Sequence, residues 1–216
     1  MDHADHCIGS GIYLQKEKIV KKGIAFFDFD GTITTKDTLL EFIKFSKGNL
    51  LFYAGFLLNL HFLVAYKLKI ISNQTAKEKI LRFFFKQTPE AEFISKCSSF
   101  TSQVLPGLLR KKALDEIRTL REKGYKVVVV SASPENWILG WTRDQEVDLI
   151  ASRLEIINGN LTGNLIGKNC HGEEKVTRIS EIFQLSDFDE ILAYGDTSGD
   201  KPMLRLAHTG HFKPFR

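Results

Sequence analysis

Two pairs of aspartates carry the strongest chemical signal in the sequence. Asp28 and Asp30 flank Phe29 and run into Gly31-Thr32, while Asp196 and Asp200 lie in Gly195-Asp196-Thr197-Ser198-Gly199-Asp200. A like-charged pair about 4 Å apart costs roughly 1 kcal/mol in water and about 4 kcal/mol at an effective dielectric near 20. Four carboxylates in one crevice would consume much of a domain's ~5–15 kcal/mol of stability. Either their pKa values rise or a cation sits among them, and the cation is the better answer. All-oxygen ligands favour Mg²⁺ over zinc, and Mg²⁺ takes few carboxylates together with water and phosphate oxygens. The expected metal set is Asp28, Asp30, Asp196 and Asp200. Ser131, Lys175 and backbone N–H groups at Gly31 and near Ala132 would then suit a phosphate. Phosphoryl transfer asks a protein mainly for positioning and charge neutralisation, and a carboxylate nucleophile splits it into two steps through an acyl phosphate. Asp28 and Asp30, one residue apart on an extended segment, point the same way, which suits a nucleophile and a nearby acid/base.

These residues need elements to bring them together. Gly23–Phe27, Lys126–Val130 and Glu190–Tyr194 are short apolar runs that read as buried strands, each ending at one of the polar groups above. Leu149–Ile157 reads as a fourth, closed by an Asn158-Gly159 turn. Helical periodicity fills the gaps at Leu108–Lys123, ending at Gly124, and at Glu173–Phe183. Strands alternating with helices predict a doubly wound parallel α/β sheet of Rossmann-like type, with ligands at the carboxyl ends of the strands. Between Thr38 and about Leu105 strand signals stop and three or four helices are expected, one starting near Asn73 and one at Thr88-Pro89 with the proline at its first position. The predicted organisation is a core of residues 1–36 and 106–216 with a helical cap, 37–105, inserted after the first strand.

Asp28-Phe29-Asp30-Gly31-Thr32-Ile33-Thr34 closely resembles the first motif of the haloacid dehalogenase superfamily, and Ser131, Lys175 and Gly195-Asp196-x-x-x-Asp200 match its second, third and fourth motifs in order. The resemblance spans roughly residues 22–210 and implies Asp28 as nucleophile, Asp30 as general acid/base, Ser131 and Lys175 as phosphoryl holders, and Asp196 and Asp200, with the Asp30 carbonyl, as Mg²⁺ ligands. Asn169-Cys170-His171-Gly172-Glu173-Glu174-Lys175 is similar to the phosphoserine-phosphatase-like branch. Phosphoserine phosphatases usually carry serine after the second aspartate and a cap glutamate and arginine that hold the amino acid. Here Gly31 and Asp37 stand at the corresponding places and Arg82 is the cap's one arginine. Gly195–Leu204, with Lys201-Pro202-Met203, together with a hydrophobic basic cap, is similar to the phosphatidylglycerophosphatase C type of bacterial lipid phosphatase. The implied substrate is a phospholipid monoester such as phosphatidylglycerophosphate. A soluble metabolite such as phosphoserine, phosphotransfer through the same aspartate, and a non-catalytic membrane-surface binder are the alternatives.

The cap holds the most unusual segment. Leu50–Tyr66, LLFYAGFLLNLHFLVAY, is apolar on every side of a helix. Its ten strongly apolar residues contribute about −3 to −6 kcal/mol on an insertion scale, yet it falls short of the ~20 residues needed to span. A single crossing would also put Asp28 and Ser131 on opposite sides of the membrane. The segment is therefore a buried cap helix, or one that touches a bilayer or an acyl chain through Leu57, Leu58 and Phe62. Lys44–Lys86 holds eight basic residues against Glu78 alone, so it carries +7 and the rest of the chain −3 of the total +4. That pattern suits an anionic lipid interface. It does not suit nucleic acid, because the basic residues interleave with a continuous apolar run. Cys7, Cys97 and Cys170 are few, odd in number and widely spaced, which argues against a disulfide framework. Residues 1–20 lack the apolar stretch of a signal peptide. A cytoplasmic protein, peripheral at the inner face of the membrane if the cap binds lipid, is the expectation.

Overall fold

The computed structural model describes residues 22–216, so Cys7 and the expectation for residues 1–20 fall outside it. The strands are β1 (Gly23–Phe27), β2 (Lys126–Pro134), β3 (Asp148–Ser152), β4 (Leu154–Ile157), β5 (Asn160–Leu165), β6 (Glu190–Gly195) and β7 (Thr209–Phe212). The helices are α1 (Thr38–Leu58), α2 (Leu60–Lys67), α3 (Asn73–Phe85), α4 (Glu90–Gln103), α5 (Lys111–Glu122), α6 (Leu139–Asp144), α7 (Glu173–Ile182) and α8 (Lys201–Leu206). Five strands form one parallel sheet in the order β3-β2-β1-β6-β7. Successive residues of a strand face opposite ways, and here both faces are buried. Ile24, Phe26, Val128, Val130 and Ile191 pack on one side with Ile179 of α7 and Met203 of α8. Ala25, Phe27, Val127, Val129 and Leu192 pack on the other with Ala113, Ile117 and Leu120 of α5. The strand order runs outward in two directions from β1, so the crevice where an open sheet binds ligands opens above β1 and its neighbours.

Helices α1 to α4 lie between β1 and β2 in the chain and share the second core, through Phe42, Phe85, Phe93 and Phe100, with Trp137. Gly55 lets α1 approach α3 closely, since a Cβ there would lie 2.3 Å from Phe84.

Several sequence expectations change. Leu149–Ile157 is two strands, not one. The chain leaves the sheet at Arg153, and β4 instead pairs antiparallel with β5 across the Asn158-Gly159 turn, whose φ values are 52° and 72°. The hairpin clasps the α3–α4 corner, with Gln87 N donating to Leu161 O, Leu161 N to Thr88 O and Glu90 N to Gly159 O. Pro89 flanks α4 in extended conformation and does not begin it. Pro106-Gly107 forms a short 3₁₀ turn, which delays α5 to Lys111. Leu50–Tyr66 is not one helix: α1 is kinked at Gly48, where φ is +79°, and α2 departs at 55° after Asn59, whose Nδ2 donates to Gly55 O at 2.8 Å. Among the described residues no single helix is long and apolar enough to cross a membrane. The edge strand β7 is only four residues long, Thr209-Gly210-His211-Phe212, too short and too polar to signal a strand.

Candidate active site

At the end of β1 the chain turns through Phe29–Ile33, with Gly31 at φ +82°. A side chain at Gly31 would clash with Asp196, its Cβ lying 2.6 Å from Oδ2, so glycine lets the turn press against the β6 loop. Asp28, Asp196 and Asp200 are buried and offer carboxylate oxygens within 4.8 Å of one another. Thr32 ties two of them, its Oγ1 lying 3.2 Å from both Asp28 Oδ2 and Asp196 Oδ1. Asp200 Oδ2 is fixed by Thr197 N at 2.9 Å, Thr197 Oγ1 at 2.7 Å and Asp196 N at 3.2 Å.

Lys175, at the start of α7, is 1% exposed and all three of its donors are used. Nζ donates to Asp28 Oδ1 at 2.6 Å, Asp200 Oδ1 at 2.7 Å and the Val130 carbonyl at 2.8 Å. Burial alone would lower its pKa, but Asp28 and Asp200 outweigh burial and raise it. Burial likewise works to raise the Asp200 carboxyl, and the Lys175 charge and hydrogen bond with those from Thr197 hold it below the ordinary value. One ammonium cannot balance the acids around it. The excess falls on Asp28, pushed up to about 7 by burial, then by Asp200 and Asp30, against the pull of Lys175. Asp196 is raised by burial and by Asp200, although the Arg216 guanidinium pairs with it. A dry, all-oxygen cluster with unbalanced negative charge fits a hard divalent cation, and among the described residues it is the one group of acids, histidines and cysteines close enough to hold a metal.

The Asp30 carboxylate stands apart from this cluster, which leaves its carbonyl, the atom the resemblance implies, as its route to a metal. Oδ1 accepts from Thr38 N at 2.7 Å and Thr38 Oγ1 at 2.6 Å, and Oδ2 from Ser133 Oγ at 2.6 Å. Trp137 Nε1 donates to Thr38 Oγ1 at 3.0 Å, fixing the threonine. The sequence reasoning missed Thr38, Ser133 and Trp137; the Ser131-Ala132-Ser133 repeat was the one signal, since alternate residues of a strand share a face.

A cavity of about 490 Å³ opens over the cluster, lined by Asp28, Asp30, Gly31, Ala132 and Lys175 among others. Ser133 lines it, whereas Ser131 is fully buried below, its Oγ accepting from Ser133 N at 3.0 Å and 3.5 Å from Asp30 Oδ2. Asp37 caps α1 through Leu40 N and faces the same cavity, as does His171. Arg82 does not reach the cavity: it lies on the outer side of α3, its Nε donating to Asn164 of β5 at 2.6 Å. Lys77, on another face of α3, is the helix's cation at the cavity. Its Nζ donates to the Ala132 carbonyl at 2.8 Å and Asn169 Oδ1 at 3.1 Å, and burial lowers its pKa against Asp37 and Asp30. Leu57, Leu58 and Phe62 are also outside the cavity, Leu57 being 72% exposed. The neighbouring Cys170 is a free thiol in the core.

The comparisons agree with this geometry. The family model described as haloacid dehalogenase-like hydrolase matches residues 25–205. Protein CicA of Caulobacter vibrioides is 37% identical over 194 residues, covering 88% of this chain and 85% of CicA. The phosphoserine phosphatase of Lactococcus lactis is 35% identical over 105 residues, 47% of this chain and 49% of that protein. A solved structure of a phospho-aspartyl intermediate analogue of phosphoserine phosphatase shares the fold, with a TM-score of 0.65 at 20% identity over 88% of this chain and 85% of that one. The chain belongs to the haloacid dehalogenase-like hydrolases, is similar within them to phosphoserine phosphatases, and carries a buried acidic cluster that suits the Mg²⁺ of a phosphatase.

Proposed function

We propose that the protein hydrolyses a phosphomonoester through a phospho-enzyme on Asp28. The observation that carries this is the buried Asp28–Lys175–Asp200 arrangement at the floor of a cavity whose wall presents Asp30, separately held. Asp28 attacks phosphorus and the ester P–O bond breaks, with Asp30 giving its proton to the departing alcohol oxygen. Asp30 then takes a proton from water, whose oxygen attacks the acyl phosphate. The P–O bond to Asp28 breaks and inorganic phosphate leaves. Lys175, 2.6 Å from Asp28 Oδ1, places positive charge where the phosphoryl oxygens carry negative charge. Asp28, Asp196 and Asp200 would hold Mg²⁺, with the Asp30 carbonyl that the resemblance implies, and the ion would supply positive charge that favours the ionised form of Asp28 and offsets the charge of the phosphoryl group.

The substrate reading that best accounts for the rest of the molecule is a phospholipid monoester such as phosphatidylglycerophosphate, because apolar helices border the cavity mouth: Tyr66 of α2 lines it, beside exposed Val64 and Leu68. A second reading has its own support. Asp37 and Lys77 face the cavity with opposite charges, a pattern able to hold the ammonium and carboxylate of phosphoserine. Turnover of detergent-solubilised phosphatidylglycerophosphate and of phosphoserine, each with and without Mg²⁺, separates them. Preference for the lipid supports the first reading, preference for phosphoserine overturns it, and activity on neither sinks both.

A further inference from the structure

We propose that the second half of α1, helix α2 and the turn after it form a docking face that lies flat on an anionic lipid bilayer and sets the catalytic cavity at the membrane surface. The proposal deepens the lipid reading above, and its test does not depend on catalysis.

The face is apolar and uncovered. Leu50 is 87% exposed, Leu57 and Ile70 each 72%, and Leu68 66%, with Leu58, Leu60 and Val64 around them. Helix α2 has no buried residue at all. Leu57, Leu60, Val64, Leu68 and Ile70 line a shallow open groove of about 540 Å³ with His61 and Ala65. Contiguous apolar surface of this kind marks an interaction site, not ordinary scattered exposure. Core packing accounts for Phe52, Phe56 and Leu63, which lie against the core, but not for these exposed leucines.

Charge identifies the partner. From Phe42 to Lys77 the sequence contains no Asp or Glu, while Lys44, Lys47, Lys67 and Lys69 interleave with the apolar residues. Lys67 and Lys69 are exposed beside the groove. Lys44 lies over Phe52 and Tyr53, and Lys79 over Phe62. An apolar face rimmed by cations alone complements an anionic interface, whereas a second copy of the same face would bring lysines against lysines. The bent α1–α2 pair has the length and composition for a crossing, but one crossing is excluded because Asp28 precedes the segment and Lys175 and Asp200 follow it, yet the three are hydrogen-bonded together.

Position relates the face to the site. Tyr66 lines the cavity, and its hydroxyl accepts from Asn73 Nδ2 at 3.2 Å, Asn73 being another cavity residue. A lipid phosphate at the headgroup level would therefore enter from the edge of the docked face.

Vesicle flotation tests this with the full chain, in wild-type form and as Asp28→Asn so that binding and turnover are separate readouts. Both forms are expected to float with mixed phosphatidylcholine/phosphatidylglycerol vesicles at low salt, less so at high salt, and weakly with phosphatidylcholine alone. Leu60→Gln/Leu68→Gln, at exposed positions, is expected to weaken binding at least tenfold while p-nitrophenyl phosphate turnover in solution stays unchanged. Lys67→Glu/Lys69→Glu is expected to abolish the preference for phosphatidylglycerol. Absence of flotation at low salt, or binding indifferent to both double variants, would overturn the proposal. So would a dimer in sedimentation velocity that Leu60→Gln/Leu68→Gln dissolves, because the face would then belong to a second copy.

Discussion

Asp28→Asn should stabilise the metal-free protein at alkaline pH, although it removes a hydrogen-bonded residue from the floor of the site. The Asp28 carboxyl titrates near 3.8 in an unfolded chain and is pushed up to about 7 in the fold. Between those values the folded state binds the extra proton, so stability falls as pH rises through that window and levels off above it. Each tenfold change in ionisation is worth about 1.4 kcal/mol, so the penalty at pH 8 approaches about 4 kcal/mol. It is present although Lys175 donates to Asp28 at 2.6 Å, because burial and the neighbouring acids outweigh that contact. Asparagine keeps an oxygen for Lys175 and carries no charge. Urea unfolding with EDTA, across a pH series, measures the difference. Wild type should lose stability from about pH 4 to pH 7 more steeply than Asp28→Asn, and the variant should be the more stable at pH 8 by ~2–4 kcal/mol. Adding Mg²⁺ should reverse the order by stabilising wild type selectively. A variant less stable than wild type at pH 8 without metal, with an unaltered pH slope, would refute the electrostatic argument.

Other perturbations probe separate parts of the site. Lys175→Met leaves Asp28 and Asp200 buried without their counter-charge, and should cost about 3–5 kcal/mol in urea unfolding along with activity; a loss below about 1 kcal/mol would contradict the pairing. Thr38→Val removes the hydroxyl that donates to Asp30 Oδ1 and accepts from Trp137 Nε1, and should lower kcat by roughly tenfold or more with little change in KM; a change confined to KM would count against Asp30 as the proton carrier. Lys77→Met should raise KM more than it lowers kcat, since Lys77 lines the cavity without touching Asp28; equal losses would place it in the chemistry. Arg82→Ala, whose partner Asn164 lies outside the cavity, should leave kinetics within about twofold and cost no more than about 1 kcal/mol of stability.

Much of this was legible because strands with both faces buried read as continuous apolar runs, and the polar residues that interrupt them stand out. Asp28, Ser131 and Asp196 each follow such a run, and a parallel sheet leaves few places for their tips to go. Lys175 was recognisable only through motif order, since nothing local distinguishes it from another helix lysine. The β4–β5 hairpin was half visible: Asn158-Gly159 announced a turn, but Asn160–Leu165, with Asn, Thr and Gly interspersed, has a weak strand pattern that its partner and α3 make up for. Thr38, Ser133 and Lys77 were hidden because each acts through a contact across a distance in sequence, such as Lys77 with Ala132. Arg82 and Lys77 shared one helix and one charge, and only the helix's orientation shows which of them reaches the cavity. The unusual composition of Leu50–Tyr66 was plain, but whether it lay inside or outside depended on the kink at Gly48 and the bend at Asn59.

The central claim is that Asp28 takes the phosphoryl group. Acid quenching during turnover of a phosphate-labelled monoester in the presence of Mg²⁺, followed by peptide mapping, observes it directly. The label is expected on the peptide containing Asp28, dependent on Mg²⁺ and absent from Asp28→Asn. Turnover by Asp28→Asn at the wild-type rate, or label mapping to any other residue, would contradict the account.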